Sequence, residues 1–298
     1  MTTSTTATDL RPVSVSPAVP RSRRRTLWRR VRRSHSAQAG ALILLLLVLA
    51  AVFAPALARY DPIDIGPDVL TPPGAQHFFG TDAYGRDIFS RVLYGARLSL
   101  IIGLISVAIA ATVGVTTGLL AGYYGGWTDT GLMRGVDVML AFPGILLALV
   151  IVSMLGPSLI NLMIAVGIAS IPLYARLTRG SVLAARSELY VEAAQSVGVP
   201  NHTILTRHLL PNIFAPVLVA ATLGVGGAIL AAAALSFVGL GSQPPTPEWG
   251  RMLSEGRQYL RDQWWIATFP GIMIMLTVLA MNLLGDGLRD ALDPRLKM

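Results

Sequence analysis

The chain has 298 residues, of which 53% are hydrophobic and 13% charged, and it has no cysteine. About a quarter of a soluble domain is charged, so this composition excludes a water-solvated globule and leaves an integral membrane protein. Without cysteine there are no disulfides, thiolate zinc sites, cysteine nucleophiles or iron–sulfur clusters; of the 24 basic residues behind a net charge of +8, only Lys297 is a lysine.

In chain order, an arginine-rich tail comes first, dense from Arg21 to Arg33. Such a run suits a nucleic-acid arm or a topology anchor beside a membrane span, and its position just before an apolar stretch favours the anchor. Arginines, an apolar run and Ala56-Leu57-Ala58 also have the order of a cleavable leader, with a twin-arginine pair at Arg23-Arg24. The run from Ala39 to Ala58 is too long for the usual leader core of about 7–15 residues, so retention as a span is expected. Five stretches then carry no Asp, Glu, Lys or Arg: 34–58, 98–128, 138–175, 208–247 and 263–285. A span needs about 20 apolar residues. As one helix the third stretch would run about 57 Å, far beyond a hydrocarbon core of about 30 Å. Gly156-Pro157-Ser158 therefore reads as a turn between two helices. Six spans are predicted, at about 39–58, 97–122, 130–155, 158–180, 214–239 and 265–288. Pro143 and Pro172 should kink the third and fourth.

Six spans place both termini on one side. With the N-terminus inside, 17 of the 24 basic residues are cytoplasmic, and the positive-inside rule favours that orientation. The division expected is a cytoplasmic tail over 1–38, a first span with its outer loop over 39–96, a transmembrane core over 97–288 and a cytoplasmic tail over 289–298. Within the core, 181–213 is a cytoplasmic segment between spans. There, a helix over 187–197 should end at Gly198. A second helix should start with Asn201 as its N-cap and stop before Pro211. On composition alone this helix–turn–helix reads more as a packing elbow than as a docking site.

The chain lacks the means to power or catalyse anything evident. A phosphate loop of the Walker type needs a lysine after its second glycine, and Lys297 is the only lysine. Schiff-base and lysine-base chemistry fall with it. His202 and His208, six apart, project about 240° from each other on a helix and are poorly placed to share a metal. A secondary transporter would be expected to bury Asp, Glu or His at mid-bilayer, and a membrane-embedded enzyme to place a nucleophile and base there. Neither arrangement is present in the predicted spans. Arg134 and Asp137, three apart, are expected to form a local ion pair. Ser153, Ser170, Ser236 and Asn282 are polar within spans, but none identifies a pore. Ala110, Gly114, Gly118 and Gly122 form a ridge of small residues every fourth position, suited to close helix contact.

The segment around Glu192 resembles the EAA loop of ABC-importer permeases: Glu-Ala-Ala, three residues, Gly, nine residues, then Ile-x-Leu-Pro. Glu192, Ala193, Ala194, Gly198, Leu210 and Pro211 fit that spacing, with His208 standing where the family usually has isoleucine. Further matches narrow the resemblance. Phe79-Gly80-Thr81-Asp82, Gly85-Arg86-Asp87, Ser90-Arg91 and 94–100 are similar to the segment after the first span in the second, C-type permease of dipeptide, oligopeptide and nickel importers. Leu235 to Gly241, Gln243-Pro244-Pro245, Pro247, Trp249-Gly250 and the stretch from Gly285 to Arg295 fit the same subunit. The resemblance implies an all-α membrane protein of six transmembrane helices with type I ABC-importer architecture. It also implies ATPase coupling through Glu192, Ala193, Ala194, Gly198, Leu210 and Pro211. Asp82, Arg86, Asp87, Gln243 and Trp249 become candidate contacts for an extracytoplasmic binding protein, although charges in such a glycine-punctuated loop more often pin the loop itself. The implied partners are a similar second permease in a heterodimer, two cytoplasmic ABC ATPases, the binding protein and membrane lipid, with no nucleic acid. ATP and magnesium would be held by the ATPases, leaving no cofactor, metal or catalytic residue in this chain. The implied location is the bacterial plasma membrane. The implied cargo is a short peptide, with nickel or another small solute as the alternative.

Overall fold

The computed structural model describes residues 34–292. The arginine-rich tail, the leader alternative's basic region, and Arg295 and Lys297 lie outside the described residues. Among the described residues the chain is helical; its only β pairing is an isolated bridge between Thr81 and Asp87. The main helices are α1 (His35–Val52), α2 (Ile88–Tyr124), α3 (Gly126–Leu140), α4 (Gly144–Leu155), α5 (Leu159–Arg186), α6 (Leu189–Ser196), α7 (Leu210–Phe237), α8 (Trp249–Gly256) and α9 (Trp265–Leu292). Five helices are long and apolar enough to span a membrane unbroken, and α3 with α4 makes a sixth if that bent pair counts as one.

The third span departs most from expectation. Between α3 and α4 the axis turns by 88°, a break where a kink was predicted. Pro143 precedes α4 with an extended ψ of 131°. It has no N–H to continue the ladder, and its ring pushes Phe142 away from helical geometry. The predicted turn at Gly156-Pro157-Ser158 is present. Gly156 has a φ of +88°, which suits glycine, and Ser158 caps α5 by accepting from Asn161 N–H at 3.1 Å. The Asn161 amide closes the turn through the Leu155 and Gly156 carbonyls, both at 2.9 Å.

α2 has 37 residues and begins well ahead of the predicted 97. Asp87 caps it by accepting from Ser90 N–H at 2.8 Å. Arg91 and Arg97 lie inside the helix, so the gap in charge marked the apolar stretch but not the helix end. The small-residue ridge packs α2 on α5. A Cβ on Gly114 would come within 2.6 Å of Tyr174 Cβ, and one on Gly122 within 2.9 Å of Val182 Cβ; at Gly118 it would collide with the Ala175 carbonyl oxygen. Glycine here admits backbone contact that no other residue allows.

The main core joins α2, α5, α7, α8 and α9 around Ile88, Ile102, Leu162, Tyr174, Ile229, Trp249 and Trp265. A second, smaller core lies at the opposite end from residues 58–87, built from Tyr123, Val182, Val191, Ala194, Ile204, Leu205, Leu209 and Ile213. Outward-facing leucines of α1, such as Leu42, Leu45 and Leu46, are more than half exposed, as a lipid-facing surface requires.

Candidate functional site

α5 continues to Arg186, and Ser187-Glu188 carries the chain directly into α6. α6 buries Val191 and Ala194 in the second core, which leaves its other face free. On that face stand Leu189, 81% exposed, and Val197, just past the helix end, 78% exposed. Ala193 lies between them at four-residue spacing, and Glu192 is beside it, both exposed. Residues at i, i+4 and i+8 share one helical face, so this is a compact apolar patch, with the carboxylate of Glu192 beside it and that of Glu188, also exposed, at the helix start. The sequence pointed to Glu192, Ala193, Ala194 and Gly198. It missed Leu189 and Val197, although an eight-residue helix with apolar residues on two faces was the available signal. Ala194 itself belongs to the buried side.

Gly198 ends α6 as predicted. Its φ is +77°; its N–H bonds to the Gln195 carbonyl, and Val199 N–H to that of Ala194, both at 3.0 Å. This is the left-handed helix stop for which glycine is preferred. The restart differs from expectation. Pro200, not Asn201, occupies the cap position, its carbonyl accepting from Thr203 and Ile204. The Asn201 side chain accepts a hydrogen bond from Tyr123 Oη of α2 at 2.7 Å instead. Nor does the second helix stop before Pro211. From Asn201 it passes through a π turn, Ile204–Leu209, and continues unbroken as α7 to Phe237. Proline is tolerated in a first turn, and Pro211 occupies that position in α7. Pro211 is exposed and Leu210 half-buried.

Asp137 does not pair with Arg134. It accepts from Arg176 of α5 at 2.7 Å, and one turn along Arg179 grips Asp129 through two bonds of 2.5 and 2.6 Å. Local spacing suggested the wrong arginine because α5 lies alongside α3. His202 is exposed and His208 half-buried; among the described residues no group of three or more His, Asp or Glu is arranged to hold a metal.

At the other end a charge cluster ties the loop to α8. Asp82 accepts from the backbone of Tyr84 and Arg86 at 2.8 and 3.0 Å and from Arg86 Nε at 2.7 Å. Glu255 of α8 then receives Arg86 and Arg91 on one carboxylate oxygen, at 3.0 and 3.1 Å, and Arg251 on the other at 3.2 Å. Asp87, besides capping α2, meets His77 Nδ1 at 2.9 Å. Trp249 is fully buried and donates to the Val92 carbonyl at 3.0 Å. Asp82, Arg86, Asp87 and Trp249 are thus interior groups that hold this end together; of the five outer candidates only Gln243 is exposed. Glu248 caps α8 through Gly250 and Arg251 N–H at 2.7 and 2.9 Å. Burial pushes its carboxyl above the ordinary range, outweighing those amides. Of the polar span residues, Ser170 bonds back to its own helix at the Val166 carbonyl. Ser153 is exposed, Ser236 is buried, and Asn282 lines an apolar groove between α7 and α9.

Residues 114–298 match the family model described as the binding-protein-dependent transport system inner membrane component. The chain belongs to this family. The permease also matches, over residues 22–73, the N-terminal TM domain of oligopeptide transport permease C. It is similar to the dipeptide transport system permease protein DppC of Alkalihalophilus pseudofirmus, at 49% identity over 92% of this chain and 90% of that one. Similarity to the glutathione transport system permease protein GsiD of Escherichia coli is 50%, over 95% and 94%. Its fold is shared with a chain of the MetNI methionine ABC transporter in inward-facing conformations, with a TM-score of 0.54 at 18% identity, covering 68% of the permease and 96% of that chain. The expected all-α, type I importer fold is therefore the fold observed. The permease is a transport subunit and not an enzyme, and membership implies work with a binding protein and with ATPase subunits.

Proposed function

We propose that this permease imports short peptides across the bacterial plasma membrane, as one half of a heterodimer with a homologous second permease. One of two cytoplasmic ATPases docks on the patch of Leu189, Ala193 and Val197, with Glu192 orienting it, and the other docks on the second permease. Gly198, Leu210 and Pro211 shape the arm behind it. The observation that carries this reading is the patch itself: an exposed apolar face on a helix whose other face is packed between the ends of α2, α5 and α7. Burying a leucine or valine fully is worth about 1.5–3 kcal/mol, so two side chains supply a small anchor of the kind that dominates interfaces. When the ATPases close around ATP and magnesium, which they hold, α6 moves with them. Because α5 and α7 grow out of the same segment, they tilt, and the pathway opens outward to receive cargo from the binding protein.

The excess of arginine over the segments assigned inside favours cytoplasmic termini. Only Arg59, Arg86, Arg91, Arg97, Arg251, Arg257 and Arg261 are left outside, and three of these share the Glu255 cluster. Peptide cargo is supported by the relatives named for dipeptide and glutathione transport, glutathione being itself a small peptide. The test is ATPase stimulation of the reconstituted complex by binding protein loaded with di- or tripeptide or with nickel. Peptide-loaded protein should stimulate; stimulation by the nickel-loaded form alone would overturn the cargo assignment.

A further inference from the structure

Pro211 removes one backbone donor from the base of α7 and so deprives the Arg207 carbonyl of its usual partner. The helix accommodates this with the π turn, in which the N–H of Leu210 reaches back five residues to the Leu205 carbonyl. Such turns are wider than α-helix and concentrate at functional sites. The turn at Gly198 that links α6 to this arm faces open space, a Cβ placed there meeting nothing within 4 Å, and only its own backbone hydrogen bonds close it. A push on α6 could therefore be absorbed at two soft points before it reaches α7.

One side chain bridges both. The Asn212 amide nitrogen donates to the His208 carbonyl, within the π turn, at 2.8 Å and to Tyr190 Oη, on α6, at 3.0 Å. It spans from the helix that bears the apolar patch to the first turn of α7, without passing through the Gly198 turn. The Tyr123–Asn201 bond of 2.7 Å fixes the far end of the same arm to α2. Apolar contacts of Val191 and Ala194 with Ile204, Leu205 and Leu209 fill the space between.

We propose that Asn212, acting through Tyr190, is a positioning residue for energy coupling: it makes α6 and the base of α7 move as one body, so that displacement of the patch becomes tilt of α7. This rests on the docking reading above, since it assigns a path for motion that enters at α6. The bridge is two ordinary hydrogen bonds. Losing one such bond is worth a factor of about five, which sets the scale of the expected effect.

The experiment uses the whole transporter, with both permeases, the ATPases and peptide-loaded binding protein, in proteoliposomes. Asn212→Ala, Tyr190→Phe and the double variant are compared for ATPase subunits retained and for ATP hydrolysed per peptide imported. Tyr190→Phe keeps the ring and removes only the hydroxyl. Each single variant should retain its ATPases yet consume about fivefold more ATP per peptide, and the double variant should be no worse than the singles. An unchanged ratio in both singles would overturn the proposal, as would loss of the ATPases from them, because the bridge would then shape the docking face instead. A parallel Leu189→Asp/Val197→Asp variant separates the two levels: ATPases retained there would overturn the docking reading itself.

Discussion

Glu255 holds two buried arginines from the start of the α2 region on one oxygen, which makes it a sharp test of how the loop end is secured. Arg91 is 1% exposed and Arg86 4%; the Glu255 side chain is 18% exposed. Glu255→Gln preserves volume but leaves the guanidinium groups of Arg86 and Arg91 with Asp82 as their one remaining carboxylate in the cluster, and takes from Arg251 its ion-pair partner. Removing one partner of a buried ion pair costs about 3–5 kcal/mol. The partial exposure of Glu255 lets water take up some of that charge, so a loss of about 2–3 kcal/mol is expected. The assay is denaturant titration of the detergent-solubilised permease. A second variant, Arg91→Met, relieves the excess charge but gives up bonds to the Pro62 and Pro245 carbonyls at 3.3 and 3.4 Å. Combined with Glu255→Gln it should cost less than the two single losses together, by about 1–2 kcal/mol of coupling. Strict additivity, or a Glu255→Gln variant as stable as the parent, would refute the cluster as the tie between α2 and α8.

Two further predictions concern stability. Gly118→Val should sharply lower the folded yield, since even its Cβ would collide with the Ala175 carbonyl. Overpacking of this kind costs about 1–3 kcal/mol. Gly131→Ala, where a Cβ meets nothing within 4 Å, should match the parent by size-exclusion profile, and an equal loss in both would contradict the α2–α5 packing. Glu248 predicts a pH dependence, because its folded-state pKa is raised by burial. Below the ordinary glutamate value of about 4.3 folded and unfolded chains both hold the proton and there is no penalty. As pH rises through the raised value, the unfolded chain releases its proton more readily and stability falls. Glu248→Gln should therefore gain on the parent in unfolding free energy from pH 4 to pH 8. A gap widening in the parent's favour would mean that the capping amides of Gly250 and Arg251 outweigh burial.

The six-span framework was legible because charge is excluded from lipid and little else interrupts it. The Gly114-Gly118-Gly122 ridge was legible for a similar reason: small residues at helical spacing have few uses other than close approach. What escaped prediction depended on contacts distant in sequence. Arg97 bounded the charge-free stretch and Arg91 lay before it, yet both are inside α2: Glu255, far along the chain, neutralises Arg91, and Arg97 donates to the Val52 carbonyl of α1 at 2.8 Å. Asp137 chose Arg176 over Arg134 because of where α5 lies, and Asn201 turned to Tyr123 on another helix instead of capping its own. Pro211 signalled a stop, but the π turn and Asn212 carry the helix past it. Resemblance to the EAA loop singled out the Glu192–Pro211 segment as a candidate, whereas the outward face of Leu189 and Val197 emerged only once Val191 and Ala194 had been seen to take the inward one.

In the proposed mechanism, force enters this permease through α6. The most direct measurement is ATP-driven peptide uptake by proteoliposomes carrying Leu189→Asp/Val197→Asp, with the ATPase subunits quantified in the same preparation. Replacing two apolar anchors by carboxylates removes about 3–6 kcal/mol of burial, so loss of both the ATPases and uptake is expected, with the permease still folded in the membrane. Uptake and ATPase content equal to the parent's would contradict it.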